Sequence, residues 1–254
     1  MSRKVMLSFC AVALFAVSAW AQTADELIDK HIKALGGLEK LKAVNSVKLT
    51  GKMKMGPMEA PLTVAKKRPG SFRVDFTIQG MTGTQAYDGS TGWMIMPFLG
   101  KKEAEKMPED MLKEFRDEAD FDGPFVDYKA KGNKVEFIGK EDVQGTPAYK
   151  LHLTMKDGNE QTLFLDADSY LLIKSEAKHK VQGQEIEGES TFGDYKEVGG
   201  LMFPFTIENK MKGKEGSQTF VFDKVDLNAS LDSASFAMPA AAPAVKAEET
   251  KKQQ

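Results

Sequence analysis

The sequence predicts a mainly β domain: a single long, curved antiparallel sheet of about eleven strands with α-helices over its concave face. Three observations lead there. Apolar residues recur at every second position through most of the chain, as in half-buried strands. Turn signals (GP, PG, DG, KGN, QGTP, KDGN, GG and KGKEG) separate these runs at short intervals, with no crossover helices between them. Two longer stretches carry helical spacing instead, and a sheet that is apolar on one face needs that face covered.

The elements follow in order. The 254-residue chain opens with MSRK, an apolar run VMLSFCAVALFAV, and small residues at Ala19 and Ala21. This is the pattern of a secretory signal, with cleavage expected after Ala21. The apolar run is short for a membrane span, although an uncleaved anchor is the alternative. Cys10, the only cysteine, follows bulky Phe9 where a lipidation box wants a small residue, and it reads as a spectator. The chain beyond residue 21 therefore has no disulfide available in an oxidising compartment. Thr23-Ala-Asp-Glu26 reads as a capping box, and Leu27, Ile28, Ile32 and Leu35 follow at helical spacing up to Gly36-Gly37. A short second piece, LEKLKAV, comes next.

From Val47 the period is two. Val47, Leu49, Met53 and Met55 alternate with Lys48, Thr50, Lys52 and Lys54. Met58, Ala60, Leu62 and Val64 continue the pattern, then Phe72, Val74, Phe76 and Ile78. It returns at Tyr149, Leu151, Leu153 and Met155, and at Phe203, Phe205, Ile207 and Met211. Residues 101–125 break the rhythm and predict the second covering helix. Pro108 stands at its first helical position, and Met111, Leu112, Phe115 and Ala119 form its apolar stripe. FLDADSYLL, which contains Asp166 and Asp168, reads as a hairpin turn rather than a catalytic carboxylate pair. Residues 239–254, PAAAPAVKAEETKKQQ, have no apolar period and are expected to be a disordered tail. The organisation is thus a signal (1–21), one domain (22–238) and a tail (239–254). Periodicity leaves open whether the helices fill the concavity or leave a pocket.

Composition narrows the function. The formal net charge of −2 becomes −4 without residues 1–21, which hold Arg3 and Lys4 and no acid. No basic stripe suits nucleic acid, and no polybasic patch suits an anionic membrane. His31, His152 and His179 stand apart, with no second metal ligand at motif spacing. GxSxG, HExxH, P-loop and GxGxxG patterns are missing, so no catalytic residue, cofactor or metal site is expected. Methionine is the surprise. Eight of the fourteen fall between residues 53 and 111. Three readings stay open: ordinary core packing, an adaptable apolar wall, or copper(I) held by the Met53–Met55 and Met94–Met96 pairs.

KKRPGSFRVDF (66–76), the YDGSTGW segment (87–93) and MPF (96–98), in that order and spacing, resemble the periplasmic lipoprotein-sorting carriers of the LolA-like family. FLDADSYLLIKSEAKHK, FGDYKEVGGLMFPFTIE and the terminal SFAMP resemble its later strands. The resemblance spans residues 23 to about 239. It implies an unclosed half-barrel whose helices form a lid over an apolar cavity for acyl chains. The wall would comprise Met53, Met55, Leu62, Val64, Phe72, Val74, Phe76, Ile78, Trp93, Met94 and Met96, and the lid Met111, Leu112 and Phe115. It further implies a soluble periplasmic monomer without catalysis. That monomer would carry the acyl chains of a lipoprotein or lipid from an inner-membrane donor to an outer-membrane acceptor. An envelope-stress sensor built on the same half-barrel is the alternative role.

Arg68 closes the sequence reading. As a strand-end charge before a Pro-Gly turn it would contribute little, and Arg73 alternates onto the polar face beside Asp75. The resemblance implies instead that Arg68 reaches the lid and helps to set whether the cavity is open or shut. A guanidinium suits that task, since its rigid fork of five donors can satisfy several helix-end carbonyls at once.

Overall fold

A computed structural model describes residues 22–181 and 184–240. The expected signal segment, most of the expected tail and the side chain of His179 lie outside the described residues. The chain forms α1 (Ala24–Ala34), α2 (Leu38–Ala43), β1 (Ser46–Met55), β2 (Met58–Lys67), β3 (Ser71–Ile78), β4 (Met81–Tyr87) and β5 (Gly92–Met96). A 3-10 turn (Pro97–Leu99), β6 (Lys101–Lys106) and α3 (Glu109–Ala119) follow. Seven strands complete the sheet: β7 (Lys134–Val143), β8 (Thr146–Thr154), β9 (Glu160–Asp166), β10 (Leu172–Val181), β11 (Gln184–Val198), β12 (Leu201–Met211) and β13 (Gln218–Leu227).

All thirteen strands belong to one sheet in the order β6-β5-β4-β3-β2-β1-β13-β12-β11-β10-β9-β8-β7. Every pairing is antiparallel, and the edges β6 and β7 do not meet, so the sheet is unclosed. The count corrects the expected eleven. Strand β6 shows why: KKEAEK is an edge strand exposed except for a half-buried Ala104, so it carries no alternation to read. It also takes the first part of the stretch expected to be helical. Pro108 is the N-cap of α3 rather than its first helical residue, because its ψ of 150° is extended.

The helices form as their local chemistry dictates. Thr23 Oγ1 accepts from the Glu26 N–H at 3.2 Å, while Glu26 Oε2 accepts from the Thr23 N–H at 3.1 Å, closing the capping box. Gly36 ends α1 with φ +116°, and a Cβ there would come within 2.2 Å of the Gly200 carbonyl oxygen. Glycine is what allows the helix to seat on the β11–β12 turn, where the Met202 N–H donates to the Leu35 carbonyl at 3.0 Å. The Asp166 turn forms as expected, its carboxylate accepting from the Asp168 and Ser169 N–H groups.

Three helices, not two, cover one face of the sheet. Leu27 and Ile28 of α1 pack on Leu151, Leu153, Leu163 and Leu165 of β8 and β9. Leu41 and Val44 at the end of α2, with Phe121 beyond α3, pack on the centre of the sheet around Val47, Leu62 and Leu201. Phe115 and Ala119 of α3 pack on Phe72 and Tyr87 of β3 and β4. The same α3 also reaches the β8–β9 turn, where Lys113 Nζ donates to Asn159 Oδ1 at 2.7 Å and pairs with Asp157 at 3.1 Å. Strands β3 and β8 stand eight spacings apart, about 38 Å on a flat sheet. An eleven-residue helix is only about 16 Å long. One short helix touching both requires the sheet to curl around it, which makes the covered face concave.

The opposite, convex face carries an element that the sequence did not announce. After β13 the chain crosses β1 to β5 as a strap. The Asn228 N–H donates to the Ser46 carbonyl and Ser46 Oγ donates to the Ala229 carbonyl, both at 2.7 Å. Lys67 Nζ donates to the Leu231 carbonyl at 2.8 Å, and Arg73 donates to that of Ser235. Trp93 Nε1 donates to the Phe236 carbonyl at 2.8 Å, and both rings are sealed from solvent at 2% and 1% exposure. Phe236→Ala is therefore expected to destabilise the fold by about 3 kcal/mol, and Phe236→Leu by less than about 1.5 kcal/mol. Urea denaturation measures both. A loss below about 1 kcal/mol for the alanine variant would mean that the strap is only loosely held.

Candidate functional site

Strand register decides which side chains share the concave face. Leu62 pairs with Phe76, Val64 with Val74, and Lys66 with Phe72, so these alternate positions project to one side. The next pairs, Phe72 with Tyr87 and Val74 with Gln85, continue the face, and Gln85 pairs with Met94. Across β1, Val64 faces Leu49 and Ala60 faces Met53. Met53, Met55, Leu62, Val64, Phe72, Val74, Phe76, Ile78 and Met94 thus lie on the covered face. Met111, Leu112 and Phe115 meet that face from α3: Phe115 lies 5.3 Å from Phe72, and Met111 Sδ is 3.9 Å from Gln85 Nε2.

Trp93 does not belong with them. It pairs with Lys106 and Ala86 and points to the convex side, where Phe236 buries it. Alternation from Met94 places it there, but its burial under the strap could not be read locally. Met96 is buried where β5 passes into the 3-10 turn, beside the irregularity between Met94 and Met96. The two Met-x-Met pairs lie on β1 and β5, four strand spacings apart, or about 19 Å. They do not converge on one ion. His31 is buried on α1, its Nδ1 2.8 Å from the Tyr170 carbonyl oxygen. Burial pushes its pKa down, so it is a neutral packing group. His152 stands on the convex side, 3.9 Å from Glu160.

The covered face is unevenly filled. Beneath α3 the rings pack directly, forming a solid core rather than a chamber. Toward the β1–β2 and β3–β4 hairpin tips the helices stop, and Met58, Phe76, Ile78, Ile207 and Phe220 are only half-buried. Met55 and Met81 stand exposed at those tips. Gly83 makes room there for two rings: a Cβ would meet Phe98 at 2.7 Å and Phe76 at 3.1 Å. Two clefts of about 860 and about 590 Å³ lie elsewhere, lined chiefly by convex-side residues such as Thr162, Glu176, Glu189, Thr191 and Thr206. They are distinct from the apolar covered face, which is an open trough toward the hairpin tips.

Arg68 sits where the helices meet. Its Nε donates to the Val44 carbonyl at 2.8 Å and its Nη2 to that of Leu41 at 3.2 Å, two carbonyls at the end of α2. Nη1 and Nη2 fork onto both oxygens of Asp122, and the guanidinium lies 4.4 Å from the Phe121 ring centre. One side chain therefore ties the β2–β3 turn to α2 and to the segment that follows α3. The hydrogen bonds from Arg68 hold the Asp122 carboxyl below its ordinary range despite partial burial. Asp122 lies 54 residues away, so no local signal could have nominated it.

The far end of α3 has its own tie. Asn159 Nδ2 donates to Asp117 Oδ2 at 3.4 Å, beside the Lys113–Asp157 pair. Loss of water against this turn, then the Asp157 charge, push the Asp117 pKa up to about 6. Asp117 as a residue remains exposed, so solvent damps the effect on stability.

No protein-family model and no curated protein matches this sequence. Three solved structures superpose over most of both chains. A domain assigned to outer membrane lipoprotein sorting, from Vibrio parahaemolyticus, aligns over 84% of this chain and 95% of its own, with TM-score 0.57 and 14% identity. A DUF1329 family protein from Desulfovibrio piger aligns over 83% and 95%, with TM-score 0.59 and 12% identity. A LolA superfamily protein from Nitrosomonas europaea aligns over 85% and 98%, with TM-score 0.56 and 15% identity. The fold is LolA-like. In this LolA-like half-barrel, Arg68 and α3 occupy the rim of the covered face, and no helix among the described residues is long and apolar enough to cross a membrane.

Two expectations follow from the rim. Arg68→Leu strands the Asp122 carboxylate and the Val44 carbonyl, and should cost about 2 kcal/mol. Arg68→Lys should cost less, since lysine keeps the charge without the fork. Thermal melts rank the three proteins, and equal melting would mean that Arg68 does not support the covering helices. For Asp117, the raised pKa means that folding favours the protonated acid. Its contribution should grow as the pH falls through about 6 toward 4, while that of Asp122, with a depressed pKa, is lost at still lower pH. Asp117→Asn should therefore melt higher than wild type at pH 7 and by a smaller margin at pH 5, as melting curves at the two pH values will show.

Proposed function

We propose that this protein shields the acyl chains of a lipoprotein or a lipid while they pass through the periplasm, from an inner-membrane donor to an outer-membrane acceptor, without catalysis. The observation that carries the reading is the trough. One unclosed sheet presents a curved apolar face, solid beneath α3 and half-exposed toward the hairpin tips. Each methylene withdrawn from water gains about 0.8 kcal/mol, so a lipid that must cross an aqueous space requires such a surface. Methionine adds adaptability, because an unbranched thioether fits chains of varied length and unsaturation.

The arrangement of the lid supports transfer rather than permanent storage. The α3 helix and the segment after it meet the sheet through apolar side chains and the polar ties Lys113–Asp157 and Arg68–Asp122, not through strand pairing, so they can part from the sheet without breaking its ladder. The Vibrio domain assigned to lipoprotein sorting shares the fold and supports the same reading. The test uses the full chain, stripped of lipid, with a fluorescent palmitate analogue as probe. Phe76→Asp puts a charge on the trough and should weaken binding by at least about tenfold. Thr77→Asp, one residue along and facing Thr82 on the convex side, should stay within about twofold. Circular dichroism confirms that both variants fold. Equal effects, or no binding by the wild type, would refute the reading.

A further inference from the structure

One row of the trough is chemically out of place. Register aligns Ser175 of β10 with Ser190 of β11, Ser190 with Asn209 of β12, Asn209 with Gln218 of β13, and Gln218 with Met55 of β1. Four consecutive strands thus present small neutral polar side chains side by side on the concave face. The row on one side is apolar: Phe192, Ile207 and Phe220, running on to Met53. On the other side Ala177, Gly188 and Met211 are aligned. Neither the polar row on these four strands nor these neighbours contains a charged residue. A buried polar group normally has a hydrogen-bond partner. Among the described residues Asn209 Oδ1 is buried and has none, while Gln218 Nε2 meets the soft sulfur of Met53.

We infer that this row is the head-group subsite of the trough, and that it takes a neutral acyl head carrying both a carbonyl and an N–H or O–H donor. The inference rests on the carrier reading and adds the chemistry of the ligand. Asn209 Oδ1 needs a donor. The hydroxyls of Ser175 and Ser190 and the amide nitrogens of Asn209 and Gln218 can in turn donate to a carbonyl. An N-acyl amide or a partly acylated glycerol offers both. A phosphate does not suit the row, because a buried anion there would have no cation beside it. The acyl chain would then run along the Phe220, Ile207 and Met53 row toward the half-buried Phe76 and Ile78. The two halves of the trough thereby receive different parts of one molecule.

The test compares two uncharged probes of equal chain length on the lipid-stripped full chain: N-palmitoylethanolamide, which donates, and methyl palmitate, which cannot. Wild type should prefer the amide by about tenfold, the difference made by one satisfied buried acceptor. Asn209→Leu should abolish that preference while still binding methyl palmitate. It should also melt no lower than wild type, since it removes an unpaired buried amide. A second variant, Ser190→Ala, should reduce the preference in a protein whose packing is barely changed. A wild type that binds both probes equally, or an Asn209→Leu protein that keeps the preference, overturns the subsite and leaves the carrier reading standing. Binding of neither probe overturns both.

Discussion

A single planar cation ties the sheet to the segments that cover it. Arg68 projects from the turn between two central strands, and its fork closes on Asp122 while its remaining donors take the last carbonyls of α2. Those carbonyls belong to the groups that a helix end always leaves unsatisfied. The Leu41 carbonyl also accepts from the Val44 N–H at the local cap, while the Val44 carbonyl takes its partner from the sheet, which helps α2, only six residues long, to hold its place. The position of α2 therefore follows from hydrogen bonds at one turn residue together with apolar packing.

The second constraint is the unclosed sheet. An antiparallel sheet with alternating faces must cover its apolar side, and thirteen strands offer more apolar area than three short helices can hide. The curl reduces the mismatch by letting α3 span from β3 to the β8–β9 turn. What is left over is the half-exposed trough near the hairpin tips. In an ordinary globular domain such a surface would be a liability for association. Under the proposed function it is the surface that receives an acyl chain, and the polar ties of the covering helices would set how readily it is enlarged.

The convex face is stabilised differently. The strap from Asn228 to Phe236 crosses five strands on hydrogen bonds from Ser46, Lys67, Arg73 and Trp93, and ends in a sealed ring pair. Arg73 is thus more than a surface charge. It forms a two-bond pair with Asp75 and also grips the strap. By stiffening β1 to β5 from behind, the strap supports the strands from which Arg68 and the apolar wall project.

The sequence by itself determined everything that depends on near neighbours along the chain. The capping box at Thr23, the Asp166 turn, the two-residue period of β1 to β3 and the apolar stripe of α3 are each decided by side chains within a few residues, and each was legible. The resemblance carried by KKRPGSFRVDF and YDGSTGW placed the fold among half-barrels. Tertiary structure decided what depends on distant partners. Edge strand β6 has no period because only its backbone is paired. Trp93 stands on the convex side by alternation from Met94, but its burial there depends on Phe236, 143 residues on. Asp122, Asn159 and the Ser175–Ser190–Asn209–Gln218 row acquire their roles only when strands far apart in sequence come into register. Their own neighbours carry no trace of that register, because it is set by the hydrogen-bonded ladder and the curl of the whole sheet.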